Sequence, residues 1–201
     1  MRKVVGICCI ALGVICLLIS LGFVVYNRNE ANRGEKKSQA MLQDVQANMQ
    51  MQQPESSSEE TELSEPGPGQ MQTVSVGQYE SIGILSIPVL ELELPVLTDW
   101  DYEKLKSAPC HYYGSCYESD FVIAAHNYPS HFGRLSQLQP GDLVFFTDVT
   151  GTVYRYEVVL LETLPATATK EMITSGFDLS LYTCTPGGSN RVTVRCRAVK
   201  A

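Results

Sequence analysis

The chain has 201 residues and carries 15 basic against 22 acidic side chains, a net charge of −7. That balance argues against nucleic acid as a partner, and the length allows one domain of ordinary size with additions. Its seven cysteines form no C-x-x-C pair, which sets aside a zinc ribbon.

Met1-Arg2-Lys3 precedes an uncharged apolar run from Val4 to Tyr26. As a helix this run spans about 34 Å at ~1.5 Å per residue, enough for a hydrocarbon core of ~30 Å. It exceeds the h-region of a signal peptide, roughly 7–15 residues, and no small-x-small cleavage site follows it. Residues 1–26 are therefore expected to be a retained transmembrane anchor. Cys8, Cys9 and Cys16 lie within it as ordinary hydrophobes. Residues 27–75 read as a linker. Ala40 to Gln53 has the pattern of a polar helix with a thin stripe of Leu42, Val45 and Met49. The acidic Ser/Pro/Gly stretch PESSSEETELSEPGPG has little to bury and reads as disordered. The whole linker is expected to act as a flexible leash.

The globular domain, 76–201, opens with Gly83-Ile-Leu-Ser-Ile-Pro-Val-Leu and Glu91-Leu-Glu-Leu-Pro-Val-Leu, two short proline-interrupted strands. Leu90, Leu92 and Leu94 alternate with Glu91 and Glu93, as in a half-exposed strand. A short helix is expected within Asp99–Ser107. Cys110 and Cys116 flank His111-Tyr112-Tyr113-Gly114-Ser115, and whether they are bridged or free stays open. His111 lacks the companions a metal site needs, and no metal or cofactor is expected. Asp120-Phe-Val-Ile-Ala-Ala-His126 is a buried strand ending in a histidine, with His131 expected exposed in the following loop or helix. Residues Asp142–Asp148 and Thr152–Glu162 form a hairpin through Asp148-Val149-Thr150-Gly151. A helical turn is expected at Lys170–Thr174.

Leu179 to Arg197 reads LSLYTCTPGGSNRVTVRCR. Period-two alternation runs to Cys184, stops at Pro186-Gly187-Gly188-Ser189-Asn190, and resumes from Arg191. Two strands joined by a short loop thus set a thiol at the end of one near a guanidinium at the start of the next. Seven or eight short strands without βαβ spacing indicate an all-β barrel.

SLYTCTP followed by NRVTVR resembles the sortase pattern, a Thr-Leu-x-Thr-Cys strand before a strand opening with Arg, with Ser180 in place of the first Thr. Gly83–Val96 resembles the opening strands of that family. Ala125-His126, Phe132-Gly-Arg-Leu135 and Gly141-Asp-Leu-Val144 resemble its histidine segment. The resemblance covers about residues 81–198. It implies a sortase-like closed β-barrel of seven to eight strands with short helices, and a Gram-positive cysteine transpeptidase held at the membrane with residues 27–201 outside. A count of flanking Arg and Lys does not by itself favour that orientation. The implied catalytic residues are Cys184, His126 and Arg191, with Thr183 and Thr185 nearby at the substrate. The implied partners are a surface protein bearing an LPxTG-like sorting signal and an amine acceptor, from a peptidoglycan precursor or a pilin lysine. A compact class D-like or housekeeping type fits best. The alternatives are a pilin-polymerising sortase, a hydrolytic cysteine protease and a non-catalytic membrane-tethered binding barrel.

Overall fold

A computed structural model describes residues 2–51 and 71–199; the acidic Ser/Pro/Gly stretch expected to be disordered lies outside the described residues. Among the described residues nine strands form one sheet: β1 (Val74–Val76), β2 (Tyr79–Ile87), β3 (Leu92–Leu97), β4 (Cys110–Tyr113), β5 (Phe121–Ala124), β6 (Leu143–Asp148), β7 (Val153–Pro165), β8 (Leu179–Cys184) and β9 (Asn190–Ala198). Their order is β1-β2-β3-β4-β5-β8-β9-β7-β6, and β6 returns to pair with β2. Strands β2 to β9 therefore close an eight-stranded barrel, and β1 extends it by a hairpin onto β2. The expected all-β closed barrel is the fold.

Local chemistry explains the corners. Pro88 opens a single 3-10 turn, Pro88–Leu90, that ends β2, and Glu91 turns the chain in the left-handed region at φ 51°. Beyond it Leu92 and Leu94 are buried and Glu93 is exposed, the alternation expected of a half-exposed strand. Closure depends on Gly83, which pairs with Asp148 of β6. Its φ is 152°, and a Cβ there would stand 2.2 Å from the Thr147 carbonyl oxygen, so only glycine admits the approach. The bulge beside it is stitched by Ser81, whose hydroxyl donates to the Val96 carbonyl at 2.9 Å. Asp101 caps the short helix α2 (Tyr102–Leu105) by accepting from the Glu103 and Lys104 amides. Helix α3 (Thr169–Ile173) is the expected turn before β8.

Inside the barrel Leu85, Ile87, Phe121, Ile123, Phe132, Phe146, Leu179 and Leu181 form the main core, with Phe121 edge-on to Phe146 at 5.0 Å. A second apolar cluster lies on the outer face, where Leu97, Leu105, Val122, Ala124, Met172 and Tyr182 meet. Strand β5 is buried on both faces for this reason.

The N-terminal segment departs from the leash expected for residues 27–75. One helix, α1, runs from Arg2 to Met51 without a break; it is long and apolar enough to cross a membrane. Past Tyr26 it lies along the barrel. Gly34, Ser38 and Val45 are buried, and Ala31, Met41 and Asn48 are half-buried. These positions recur at intervals of three and four, the seam period of packed helices. Val45 joins the outer cluster with Val74 and Val76, and the Asn48 side chain donates to the Ser75 carbonyl at 3.0 Å. The stripe looks thin in sequence because its upper half is built from Ala, Gly and Ser, whose smallness is what lets the helix approach.

Candidate active site

Strand register brings the three chemically distinctive residues into line. Antiparallel pairing of β8 with β9 sets Cys184 directly opposite Arg191, so both project from one face, as Ser180 and Arg195 do further along. Strand β5 runs parallel to β8 with Ala124 beside Tyr182. Continuing that register by two residues puts His126 level with Cys184 on the same face. The ladder does continue: the Ala125 amide donates to the Tyr182 carbonyl at 3.2 Å, and the Thr183 hydroxyl donates to the Ala125 carbonyl at 2.8 Å. Residues 126, 184 and 191 thus come from neighbouring positions at the ends of three adjacent strands spaced ~4.8 Å apart. All three residues are half-buried.

His126 is set by the loop that follows it. The Phe132 amide donates to the His126 carbonyl at 3.1 Å, and the amides of His131 and Gly133 both donate to the Tyr128 carbonyl at 2.9 Å. This folds the chain back so that the Tyr128 ring lies flat on the imidazole, centroids 4.4 Å apart and planes 2° from parallel. Gly133 permits the turn by close approach: a Cβ there would stand 2.5 Å from the Asn127 carbonyl oxygen. Burial, and then the Glu30 carboxylate of α1, push the Tyr128 phenol up. The same fold-back corrects the expectation for His131. It is wholly buried, neither ring nitrogen has a hydrogen-bond partner, and burial beside His126 lowers it to about 4.

Cys184 opens into a cavity of about 260 Å³ whose walls include Asn127, Phe132, Ser136, Thr183 and Thr185. Thr183 is buried and its hydroxyl is committed to the Ala125 carbonyl. Thr185 closes the β8–β9 loop, accepting from the Asn190 amide at 3.2 Å. Arg191 leans toward that loop, donating from Nη1 to the carbonyls of Gly188 at 2.9 Å and Asn190 at 3.1 Å. On its far side it borders a second cavity, of about 330 Å³, with Trp100, Tyr102, Tyr112 and Tyr182. Asn127, Tyr128 and Ser136 carry no distinctive spacing, and only their adjacency to His126 or to the Phe132–Leu135 segment marks them in the sequence.

Arg195 shares the face of Arg191 but has another occupation. It is buried, pairs with Glu162 at 2.8 Å, and donates to the Ser180 hydroxyl at 2.7 Å and the Glu171 carbonyl at 2.8 Å. Arg197 is exposed and lies over the Phe177 ring at 4.7 Å. Cys110 and Cys116 are free and buried, which resolves the question left open between bridged and free. Among the described residues no three His, Cys, Asp or Glu side chains converge as a metal site would require.

The fold and this row of side chains define a closed β-barrel with a thiol, an imidazole and a guanidinium at one end. The sortase domain family matches residues 85–199, and the chain belongs to that family. Solved structures agree. Sortase A from Corynebacterium diphtheriae is similar at 25% identity and a TM-score of 0.56 over 62% of this chain and 63% of that one. Sortase C1 from Streptococcus suis is similar at 26% identity and 0.54, over 60% and 74%. A Clostridium perfringens sortase D5 transpeptidase shares the fold at 19% identity and 0.53, over 60% and 79%. The match thus spans under two thirds of the Corynebacterium chain. Among curated proteins none matches.

Proposed function

We propose that this protein is a membrane-anchored cysteine transpeptidase that attaches surface proteins to the cell wall. The observation that supports the reading is the register that sets Cys184 opposite Arg191, with β5, the strand leading into His126, paired to β8 on its other side. Cys184 attacks the Thr–Gly carbonyl of an LPxTG-like sorting signal, and His126 protonates the departing amine. The thioester is then resolved by an amine, for which His126 serves as base. Arg191 supplies a permanent charge and planar donors for the oxyanion or the substrate backbone once it releases the loop carbonyls. Thr183 and Thr185 line the cavity in which the residues before the scissile bond would lie. Residues 1–26 are the anchor and 76–201 the catalytic barrel, held at the extracellular side of a single-pass membrane protein. A second reading of the acceptor is a pilin lysine.

The test is thioester formation. Purified full-length protein is incubated with a panel of LPxTG-type peptides, with and without added amines, and followed by mass spectrometry. Parental protein should form an adduct on Cys184 and transfer it to an amine, and Cys184→Ala should form none while Cys196→Ala retains it. Cleavage without transfer to any amine would make the protein a protease instead, and an unreactive Cys184 would leave only a binding barrel.

A further inference from the structure

His126 sits beside open space. The loop from His126 to Ser130 and the turns of α1 beyond Tyr26 enclose a cavity of about 760 Å³, and the imidazole has room to turn into it. Among the described residues the hydrogen bonds to histidine rings belong to His111, so the orientation of His126 rests on packing. Its packing partner is Tyr128, whose ring lies flat on the imidazole with centroids 4.4 Å apart and planes 2° from parallel. A ring can hold its neighbour only if it is itself held.

Three contacts hold Tyr128. Its carbonyl accepts from the amides of His131 and Gly133, both at 2.9 Å. Its ring lies against His131 with centroids 5.5 Å apart, and His131 is wholly buried and so a fixed wall. The third contact comes from outside the barrel. A Cβ at Gly34 of α1 would stand 3.2 and 3.3 Å from Cε2 and Cδ2 of Tyr128, and 2.6 Å from the Lys106 carbonyl oxygen. The helix backbone therefore lies directly against one edge of the ring, and only glycine brings it that close. Without α1 that edge would lose its support.

Resting on the transpeptidase reading, we propose that Tyr128 is a positioning residue for the catalytic imidazole, and that α1 completes the site by backing the Tyr128 ring with Gly34. The stack has two effects. It restricts rotation of the imidazole, and a misplacement near 1 Å at a reacting group costs about 10² in rate. It also favours the imidazole while that ring carries the proton destined for the leaving amine, because a cation within about 6 Å of an aromatic face is stabilised. The phenol hydroxyl has no role in either effect. The helix that follows the apolar run is thus part of the acylation machinery as well as a tether.

The experiment uses full-length protein in detergent micelles, an LPxTG-type peptide that the parental protein cleaves, and single-turnover acylation over a range of peptide concentrations. Tyr128→Phe should keep the parental rate. Tyr128→Leu should lower the maximal rate by roughly 10- to 100-fold, with the half-saturating peptide concentration unchanged. The loop survives both changes, because the amides of His131 and Gly133 bond to a backbone carbonyl. Gly34→Leu, which forces α1 off the Lys106 carbonyl, should lower the rate severalfold in the parental background and not at all in Tyr128→Leu. Spectroscopy reads the stack itself. In protein carrying isotope-labelled histidine, with signals assigned by His126→Gln, the His126 ring protons should resonate upfield of their random-coil positions. Tyr128→Phe should keep that shift, and both Tyr128→Leu and Gly34→Leu should reduce it. Parental acylation in Tyr128→Leu, an equal loss in Tyr128→Phe, or a change confined to half-saturation overturns the role of Tyr128. Losses from Gly34→Leu and Tyr128→Leu that multiply overturn the role of α1. If the parental protein forms no thioester with any peptide, the failure is that of the transpeptidase reading, and the His126 shifts still decide whether α1 and Tyr128 hold that ring.

Discussion

Burial holds the thiols of Cys110, Cys116 and Cys196 up at about 12, whereas Cys184 is half-exposed at the mouth of its cavity. A thiol must be ionised and reachable to react. Iodoacetamide at pH 8 should therefore modify Cys184 and spare the other three barrel cysteines in the folded protein, as read by peptide mapping. Equal labelling of Cys196 would show that the barrel opens on that timescale. His131 supplies a second expectation at this scale. Its unfolded pKa is about 6.5, and burial first, then the neighbouring His126, lower it to about 4 in the fold. Above 6.5 the ring is neutral in both states and has no effect on stability. Between 6.5 and 4 the unfolded chain binds a proton that the folded chain refuses, so stability falls with pH, by about 3 kcal/mol at most. Below 4 the loss levels off. Thermal unfolding in detergent from pH 7 to 4 should show this slope, and His131→Leu should flatten it. A variant that keeps the parental slope would show that His131 is not its source.

At the scale of elements, the site is made by two strand ends and one folded-back loop. The 127–134 loop has no regular structure, so its shape rests on the hydrogen bonds to the Tyr128 and His126 carbonyls and on the absence of a side chain at Gly133. Gly133→Ala sets a methyl 2.5 Å from the Asn127 carbonyl oxygen, and the loop must shift. A displacement near 1 Å at a reacting group costs about 10² in rate, so single-turnover acylation should fall by roughly that factor while the melting temperature moves little. Parental acylation in this variant would mean that His126 is held by β5 alone. The strands were legible because alternation, turn residues and the SLYTCTP…NRVTVR spacing agree over β8 and β9, and register then follows from the loop between them. The loop was not legible. Its Tyr128 and His131 look like exposed polar residues until the backbone turns back, and no local pattern announces a stacking partner for His126. The role of Arg195 was not legible either, because its pairing with Glu162 depends on β7 lying against β9.

For the whole molecule, the decisive fact is that α1 is continuous from the apolar run onto the barrel, so the position of the barrel relative to that run is built into the chain. A flexible leash would let the barrel tumble; a docked helix fixes both height and facing. The seam that does this escaped the sequence because Ala31, Gly34 and Ser38 give no hydrophobic signal, and only Val45 among its buried members is a large apolar residue. Val45 is therefore where docking can be broken without touching the site. It is fully buried with Val74 and Val76, and a carboxylate there would be desolvated without a partner, which costs several kcal/mol. Undocking avoids that cost, because an exposed glutamate on a free helix is harmless. Val45→Glu should therefore leave the barrel folded and release residues 27–51. Hydrogen exchange on the full-length protein in vesicles should show faster exchange over 27–51 and at β1, with β5, β8 and β9 as protected as in the parent. Slower exchange over 27–51, or protection lost evenly through the barrel, would contradict a helix held by this seam.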